Sequence, residues 1–177
     1  MAVVASRYAR ALIEAMSPDQ ADAGLDQIQR LNDLMATEED VRKLLLNPVV
    51  PQDRRKRFIE RLAEAMGLDP RVRRLFVLIV DRRRLPILAD VVVAYQQMLD
   101  QRNGIVRAQV RAAAPLSEAE QREIAARLEK TTGKRVVMEI DEDPELIAGL
   151  VVRIGSTVYD GSLRQNLAGF RQRMVKG

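Results

Sequence analysis

The chain contains no cysteine, no histidine and no tryptophan. Without cysteine there is no disulfide, no thiolate metal site and no thiol nucleophile. Without histidine, Ser-His-Asp triads and Cys-His dyads are excluded, and the side chain that most often moves protons near neutral pH is missing. Three tyrosines and three phenylalanines are the whole aromatic supply, too few for base-stacking platforms or aromatic cages. Charge-free runs are also scarce. Stretches such as Val91–Leu99 are far shorter than the roughly 20 apolar residues that cross a bilayer, and the N-terminus lacks the long apolar block of a secretory signal. These absences point to a soluble intracellular protein that is not an enzyme and needs no cofactor or metal.

What is present is ordinary core and abundant charge. The 177 residues, 47% hydrophobic and 31% charged, leave room for one medium domain or two small ones. Twenty-nine basic residues face 25 acidic ones, so the basic isoelectric point reflects a small excess rather than a polycation.

Helical spacing dominates the first hundred residues. Over Val3–Met16, Val4, Tyr8, Ala11, Leu12 and Ala15 cover one side and Ala5, Ala9, Ile13 and Met16 continue around it. The apolar arc is about twice the ~100° that a core-covering helix needs, so this helix has apolar surface to spare. Ser17, Pro18 and Gln20 predict an N-cap, a proline at the first helical position and a capping-box partner for a second helix carrying Ile28, Leu31, Leu34 and Met35. Thr37 with Glu38, Glu39 and Asp40 predicts the start of a third helix, ended by Asn47-Pro48 because a residue before proline avoids the helical region. Pro51 opens a fourth, with Phe58, Ile59, Leu62 and Met66 inward, ending at Gly67. Asp69-Pro70 caps a fifth over Arg71–Asp81, and Leu85–Asp100 makes a sixth.

At Asn103-Gly104 the period changes. Val106, Ala108, Val110 and Ala112 alternate with Arg107, Gln109 and Arg111, the signature of a strand. Ser117 and Glu120 form a capping box for a helix that runs to Gly133 with Ile124 and Leu128 inward. Val136, Met138 and Ile140 predict a second strand, Leu150, Val152 and Ile154 a third, and Thr157–Tyr159 a fourth. The tail places Leu163, Leu167, Phe170 and Met174 on one stripe of a terminal helix. The fold class expected is mainly α: an N-terminal six-helix bundle over residues 1–104, then a small α/β domain over 105–177 with a mixed sheet and a C-terminal helix.

Several local patterns invite a site and fail its chemistry. Thr132-Gly133-Lys134 resembles the end of a phosphate-binding loop, but Leu128 stands where the first glycine belongs and Arg135 where a magnesium-binding hydroxyl belongs; a helix cap followed by a strand fits better. The acidic stretch Asp141–Glu145 lacks the glycine of a calcium loop, with Leu146 at its sixth position, and reads as a strand running into a turn. The basic run Arg54–Arg57, joined by Arg71, Arg73, Arg74 and Arg82–Arg84, fits a nucleic-acid-binding adaptor. Acidic and basic residues nearly balance through residue 103, however, and favour a solvated or protein-facing surface. The helix Arg71–Val80 is more informative, because Val72, Leu75, Phe76 and Ile79 make one face while Val77, Leu78 and Val80 leave little polar surface elsewhere. Such a helix is either central to its bundle or touches something on two sides. With the first helix it suggests an apolar groove for a partner helix. The terminal stripe has two readings, packing on its own sheet or a coiled-coil-like contact with another chain.

The segment from Asp143 through Ala148-Gly149 to Gly155, followed by Val158-Tyr-Asp-Gly-Ser-Leu-Arg164, resembles the signature of the delta subunits of F-type ATP synthases, whose mitochondrial relative is the oligomycin-sensitivity-conferring protein. Ala5-Ser-Arg-Tyr-Ala-Arg-Ala-Leu12 is similar to the family's opening helix, and Arg84-Leu85 before a long helix also fits; Glu142 departs from the apolar residue expected before Asp143. The resemblance implies a non-catalytic peripheral-stalk subunit that holds the catalytic head against the torque of the rotor, so that proton-driven rotation yields ATP. It implies a bundle that takes the N-terminal helix of an alpha subunit and a C-terminal domain that holds the b-subunit coiled coil. On this footing Tyr8, Ala9, Leu12, Ile13, Leu75, Leu78 and Ile79 are expected to line the alpha-helix groove. Leu163, Leu167, Phe170 and Met174 are expected to serve the b subunit, and Gly149, Gly155 and Gly161 to be backbone-geometry positions. No nucleic acid is expected as a partner. With no transit peptide apparent, the resemblance places the chain at the cytoplasmic face of a bacterial plasma membrane, peripheral and not inserted.

Overall fold

The computed structural model describes residues 2–146, 149–155 and 157–160. It is mainly helical with a small mixed sheet, and divides into two units, residues 1–99 and 100–177.

Six α-helices follow one another in the first part of the chain: α1 (Ala2–Ala15), α2 (Ala21–Thr37), α3 (Glu39–Leu46), α4 (Gln52–Ala65), α5 (Pro70–Asp81) and α6 (Leu88–Arg102). Their boundaries follow local chemistry. Asn47 is extended, as a residue before proline must be, and its side-chain oxygen accepts from the Val49 amide at 2.9 Å in the turn that ends α3. Past α4, Gly67 adopts a positive φ of 62° and the Leu68 amide reaches back to the Ala63 carbonyl at 2.9 Å, the closing bond of a left-handed helix cap. Asp69 caps α5 by accepting from the Arg71 amide at 2.8 Å.

Two expected starts differ. Thr37 does not open α3; it is the last residue of α2, and its hydroxyl donates back to the Asp33 carbonyl at 3.0 Å. A threonine hydroxyl can bond the carbonyl one turn behind it as readily as an amide ahead, and here that keeps α2 going until Glu38. Ser17 precedes a single 3-10 turn, Pro18–Gln20, and α2 begins only at Ala21. The expected capping box is replaced by a bond between its two side chains, the Ser17 hydroxyl donating to Gln20 Oε1 at 2.8 Å.

One apolar core joins all six helices. Ala5, Ala9, Leu12, Ile13 and Met16 of α1 are buried on a helical stripe, while Val3 and Ala11 stay exposed, so the wide apolar arc of α1 is only partly covered. Tyr95 of α6 is fully buried among them and donates its hydroxyl to the Ala21 carbonyl at 3.0 Å, which satisfies its polar end. Gly24 of α2 lets this hydroxyl approach: a Cβ there would lie 3.0 Å from it and 2.8 Å from the Met16 methyl.

The second unit is built on four strands, β1 (Ile105–Ala112), β2 (Arg135–Glu142), β3 (Leu150–Ile154) and β4 (Thr157–Asp160), in the order β2-β1-β3-β4. β1 and β2 are parallel, with Val110 opposite Ile140, and the crossover that parallel pairing demands is α7 (Glu118–Thr132). β3 runs antiparallel to β1 and to β4. Alternation in β1 puts Ala108, Val110 and Ala112 in the core with Val136 and Val152, under Leu128 of α7, and leaves Arg107, Gln109 and Arg111 exposed. α7 carries the predicted capping box, with the Glu120 carboxylate accepting from the Ser117 amide at 2.8 Å, and it ends at Gly133 with φ 66°. Gly149 and Gly155 also have positive φ, of 87° and 57°. Gly161 and the expected C-terminal helix lie outside the described residues.

Candidate helix-binding face

α1 and α5 pack against each other, and two guanidinium groups pin the pair near the two ends of α5. At one end Arg71, in the first turn of α5, donates to the Ala15 carbonyl at the end of α1 at 3.1 Å. At the other, Arg84, just beyond α5, donates to the Tyr8 hydroxyl at 3.1 Å with its Cζ 5.9 Å from the ring centroid. The two helices therefore run antiparallel.

Arg71 is the more elaborate of the two contacts. Its Nε and Nη2 meet the two oxygens of Asp69 at 2.8 and 2.7 Å, and Nη2 also donates to Gln20 Oε1 at 2.6 Å. A fork of fixed donors facing a carboxylate is the strongest common form of charge-assisted bond. These hydrogen bonds hold the Asp69 carboxyl down at about 2, against an ordinary 3.8, and raise Arg71 above its usual range in turn. The Asp69 amide donates to Gln27 Oε1 at 2.7 Å. One polar node thus ties the end of α1, the 3-10 turn, α2 and the start of α5 together.

The seven residues expected to line a groove divide sharply. Ala9, Leu12, Ile13, Leu75 and Ile79 are buried within the unit's own core. Tyr8 is half-buried, and Leu78 is 43% exposed. On α5, Val72, Leu75, Phe76, Ile79 and Val80 turn inward and Leu78 alone of its large apolar side chains is left exposed. Sequence reasoning marked Leu78 but missed the contact between Arg84 and Tyr8 and the node around Arg71. Asp69-Pro70 signalled the cap, but the Arg71 bonds to Ala15 and Gln20 join residues more than fifty positions apart and leave no local trace.

The basic runs are partly neutralised. Lys56 lies 3.9 Å from Asp81, and Arg71 is bound to Asp69. Among the described residues, no group of His, Cys, Asp or Glu is arranged to hold a metal ion, and no helix is long and apolar enough to cross a membrane. Leu163, Leu167, Phe170 and Met174 lie outside the described residues.

Comparison with known proteins gives this arrangement a context. The family model of the ATP synthase delta (OSCP) subunit matches residues 4–174. The ATP synthase subunit delta of Anaeromyxobacter dehalogenans is 37% identical over 175 residues, covering 98% of each chain. That of Syntrophobacter fumaroxidans is 34% identical over 179 residues, covering 99% of this chain and 96% of its own. A chain of the cryo-EM structure of the Toxoplasma gondii mitochondrial ATP synthase hexamer, 22% identical, has the same fold, with a TM-score of 0.67 over 97% of both chains. The chain belongs to the ATP synthase delta (OSCP) subunit family, structural and non-catalytic subunits of the peripheral stalk of F-type ATP synthase.

Proposed function

We propose that this chain joins the alpha subunits of the catalytic head to the b subunits of the stalk, and so keeps the head from turning with the rotor while proton flow drives ATP synthesis. In this reading α1–α6 act as a six-helix bundle over residues 1–104 that receives the N-terminal helix of one alpha subunit. Residues 105–177 form the domain that grips the end of the b-subunit coiled coil, through Leu163, Leu167, Phe170 and Met174 on a terminal helix. The complex is peripheral to the cytoplasmic face of a bacterial plasma membrane.

The observation that carries the head contact is the exposure of Leu78 on α5, with a half-buried Tyr8 on the antiparallel α1, over a floor of Ala9, Leu12, Ile13, Leu75 and Ile79. An amphipathic helix binds such a face through residues three and four apart. Ala9, Leu12, Ile13, Leu75 and Ile79 set the height and spacing of the floor, while Tyr8 and Leu78 supply the contact itself. A rigid stator needs no active-site chemistry; it needs an apolar seat held in place, which the Arg71 node provides at one end of the helix pair.

The test is the native mass of ATP synthase heads stripped of their delta subunit and mixed with this protein. The expected result is the addition of one 20.0 kDa copy per head, lost when the alpha N-termini are trimmed and lost with Leu78→Asp. Circular dichroism of that variant should match the parent chain. Absence of a complex with heads from the same organism would sink the reading.

A further inference from the structure

We propose that the α1–α5 face selects an acidic amphipathic helix, and that Arg84, held on Tyr8, takes one of its carboxylates. This rests on the reading of that face as a helix-docking groove and adds a charge requirement to it. The exposed residues flanking the apolar contact are strongly one-sided. Arg7 on α1, Arg74 one turn before Leu78 on α5, and Arg82, Arg83 and Arg84 following it are all exposed. None of the five has an acidic partner among the described residues. On α1 and α5 themselves, acids are committed or few. Asp69 is bound by Arg71 and Asp81 faces Lys56, which leaves Glu14 as the exposed acid of α1. Leaving this many cations around an apolar strip favours a partner of opposite charge and disfavours a basic one.

Within that field Arg84 is set apart by geometry. One of its five N–H donors is spent on the Tyr8 hydroxyl at 3.1 Å, and the cation sits 5.9 Å from the ring centroid. A guanidinium tethered to the hydroxyl end of a tyrosine has lost part of its freedom already, so a carboxylate that takes its remaining donors in the bidentate manner orders less. The same tyrosine offers its ring to the apolar side of the incoming helix. Tyr8 and Arg84 together read an apolar residue and an acidic one on the same partner.

The experiment measures binding of the full-length chain to a fluorescent synthetic peptide of the alpha subunit's N-terminal segment, with each variant checked by circular dichroism. Arg84→Glu should weaken binding by about tenfold and Arg84→Lys by less, because the point charge survives and the fork does not. A peptide with its carboxylates converted to amides should bind parent and Arg84→Glu alike. Raised salt should weaken the parent chain more than Arg84→Glu. If Leu78→Asp abolishes binding while Arg84→Glu and the amide peptide change nothing, the charge requirement is wrong and the docking face stands. If Leu78→Asp leaves binding intact, the docking reading falls and this inference with it.

Discussion

Tyr95, Phe76, Ile28 and Leu31 are nearly or fully buried in the helical unit, whereas the bulkiest side chain buried to that degree among the described residues of the sheet unit is Val110. The helical unit is held by volume: large side chains from six helices interlock around one core. The sheet unit is held by its ladder, with alanine and valine filling the small space between β1 and α7. The contrast shows two ways of reaching one folded state. In the first, a single large side chain carries much of the stability; in the second, backbone pairing carries it and each side chain matters less.

Truncation should separate them most clearly. Phe76→Ala removes a fully buried ring and should destabilise the helical unit by about 3–5 kcal/mol, since the surrounding helices relax only partly into the cavity. Val110→Ala should cost about 2 kcal/mol, the loss of two buried methyl groups and a small cavity. Urea unfolding followed at a helical wavelength should show the larger shift for Phe76→Ala. Equal shifts of a single transition would mean that the two units unfold together and that the contrast in side-chain size has no thermodynamic meaning.

Acid should probe the same contrast through two carboxylates at helix starts. Asp69, the N-cap of α5, is held at about 2 by the Arg71 hydrogen bonds. Glu120, in the first turn of α7, is lowered by its bonds to Ser117. A carboxyl depressed in the folded state contributes stability above its unfolded value and loses it as pH falls through the folded one. For Asp69 that window runs from 3.8 down to about 2. Asp69→Asn keeps the cap but not the charge, and should cost about 1–2 kcal/mol near neutral pH with the difference fading across that window. Glu120→Gln should change the acid limb of the sheet unit less, because Glu120 is exposed and its partners, the Ser117 hydroxyl and amide, are neutral. The pH dependence of the urea midpoint for each variant decides between them.

Much of this was legible along the chain because the signals are local. Asn47-Pro48, Gly67, Asp69-Pro70, Ser117 with Glu120, and Gly133 each fix one boundary through the backbone of one or two residues, and the alternation of β1 names its buried face. Thr37 misled because a threonine hydroxyl serves either side of a boundary, and only the continued winding of α2 decides which. Ser17 and Gln20 misled because Gln20 Oε1 accepts from Arg71, which comes from α5. The candidate face was half legible. Periodicity flagged α5 as apolar nearly all round, but only the packing of its neighbours leaves Leu78 out while Leu75 and Ile79 turn in.

The finest contrast lies between two helix ends that each place one residue in the left-handed region. α7 ends at Gly133 with φ 66°, and α5 ends with Arg83 at φ 55°, the one non-glycine at positive φ among the described residues. Both are left-handed caps. They close differently: after Arg83 the Arg84 amide returns five residues to the Ile79 carbonyl at 2.8 Å, whereas Gly133 sends its own amide four residues back to Glu129 at 2.8 Å. A side chain at such a position crowds its own carbonyl, whereas glycine avoids the clash but is freer in the unfolded chain. Arg83→Gly should therefore stabilise the helical unit by about 0.5 kcal/mol, and Gly133→Ala should destabilise the sheet unit by about 1 kcal/mol. A Cβ at Gly133 would meet nothing within 4 Å, so any loss there reports backbone strain alone. Thermal midpoints of both variants check the pair. If Arg83→Gly lowers the midpoint instead, the arginine side chain contributes more than its strain costs, and the basic strip beside the Leu78 face would then be structural as well as exposed.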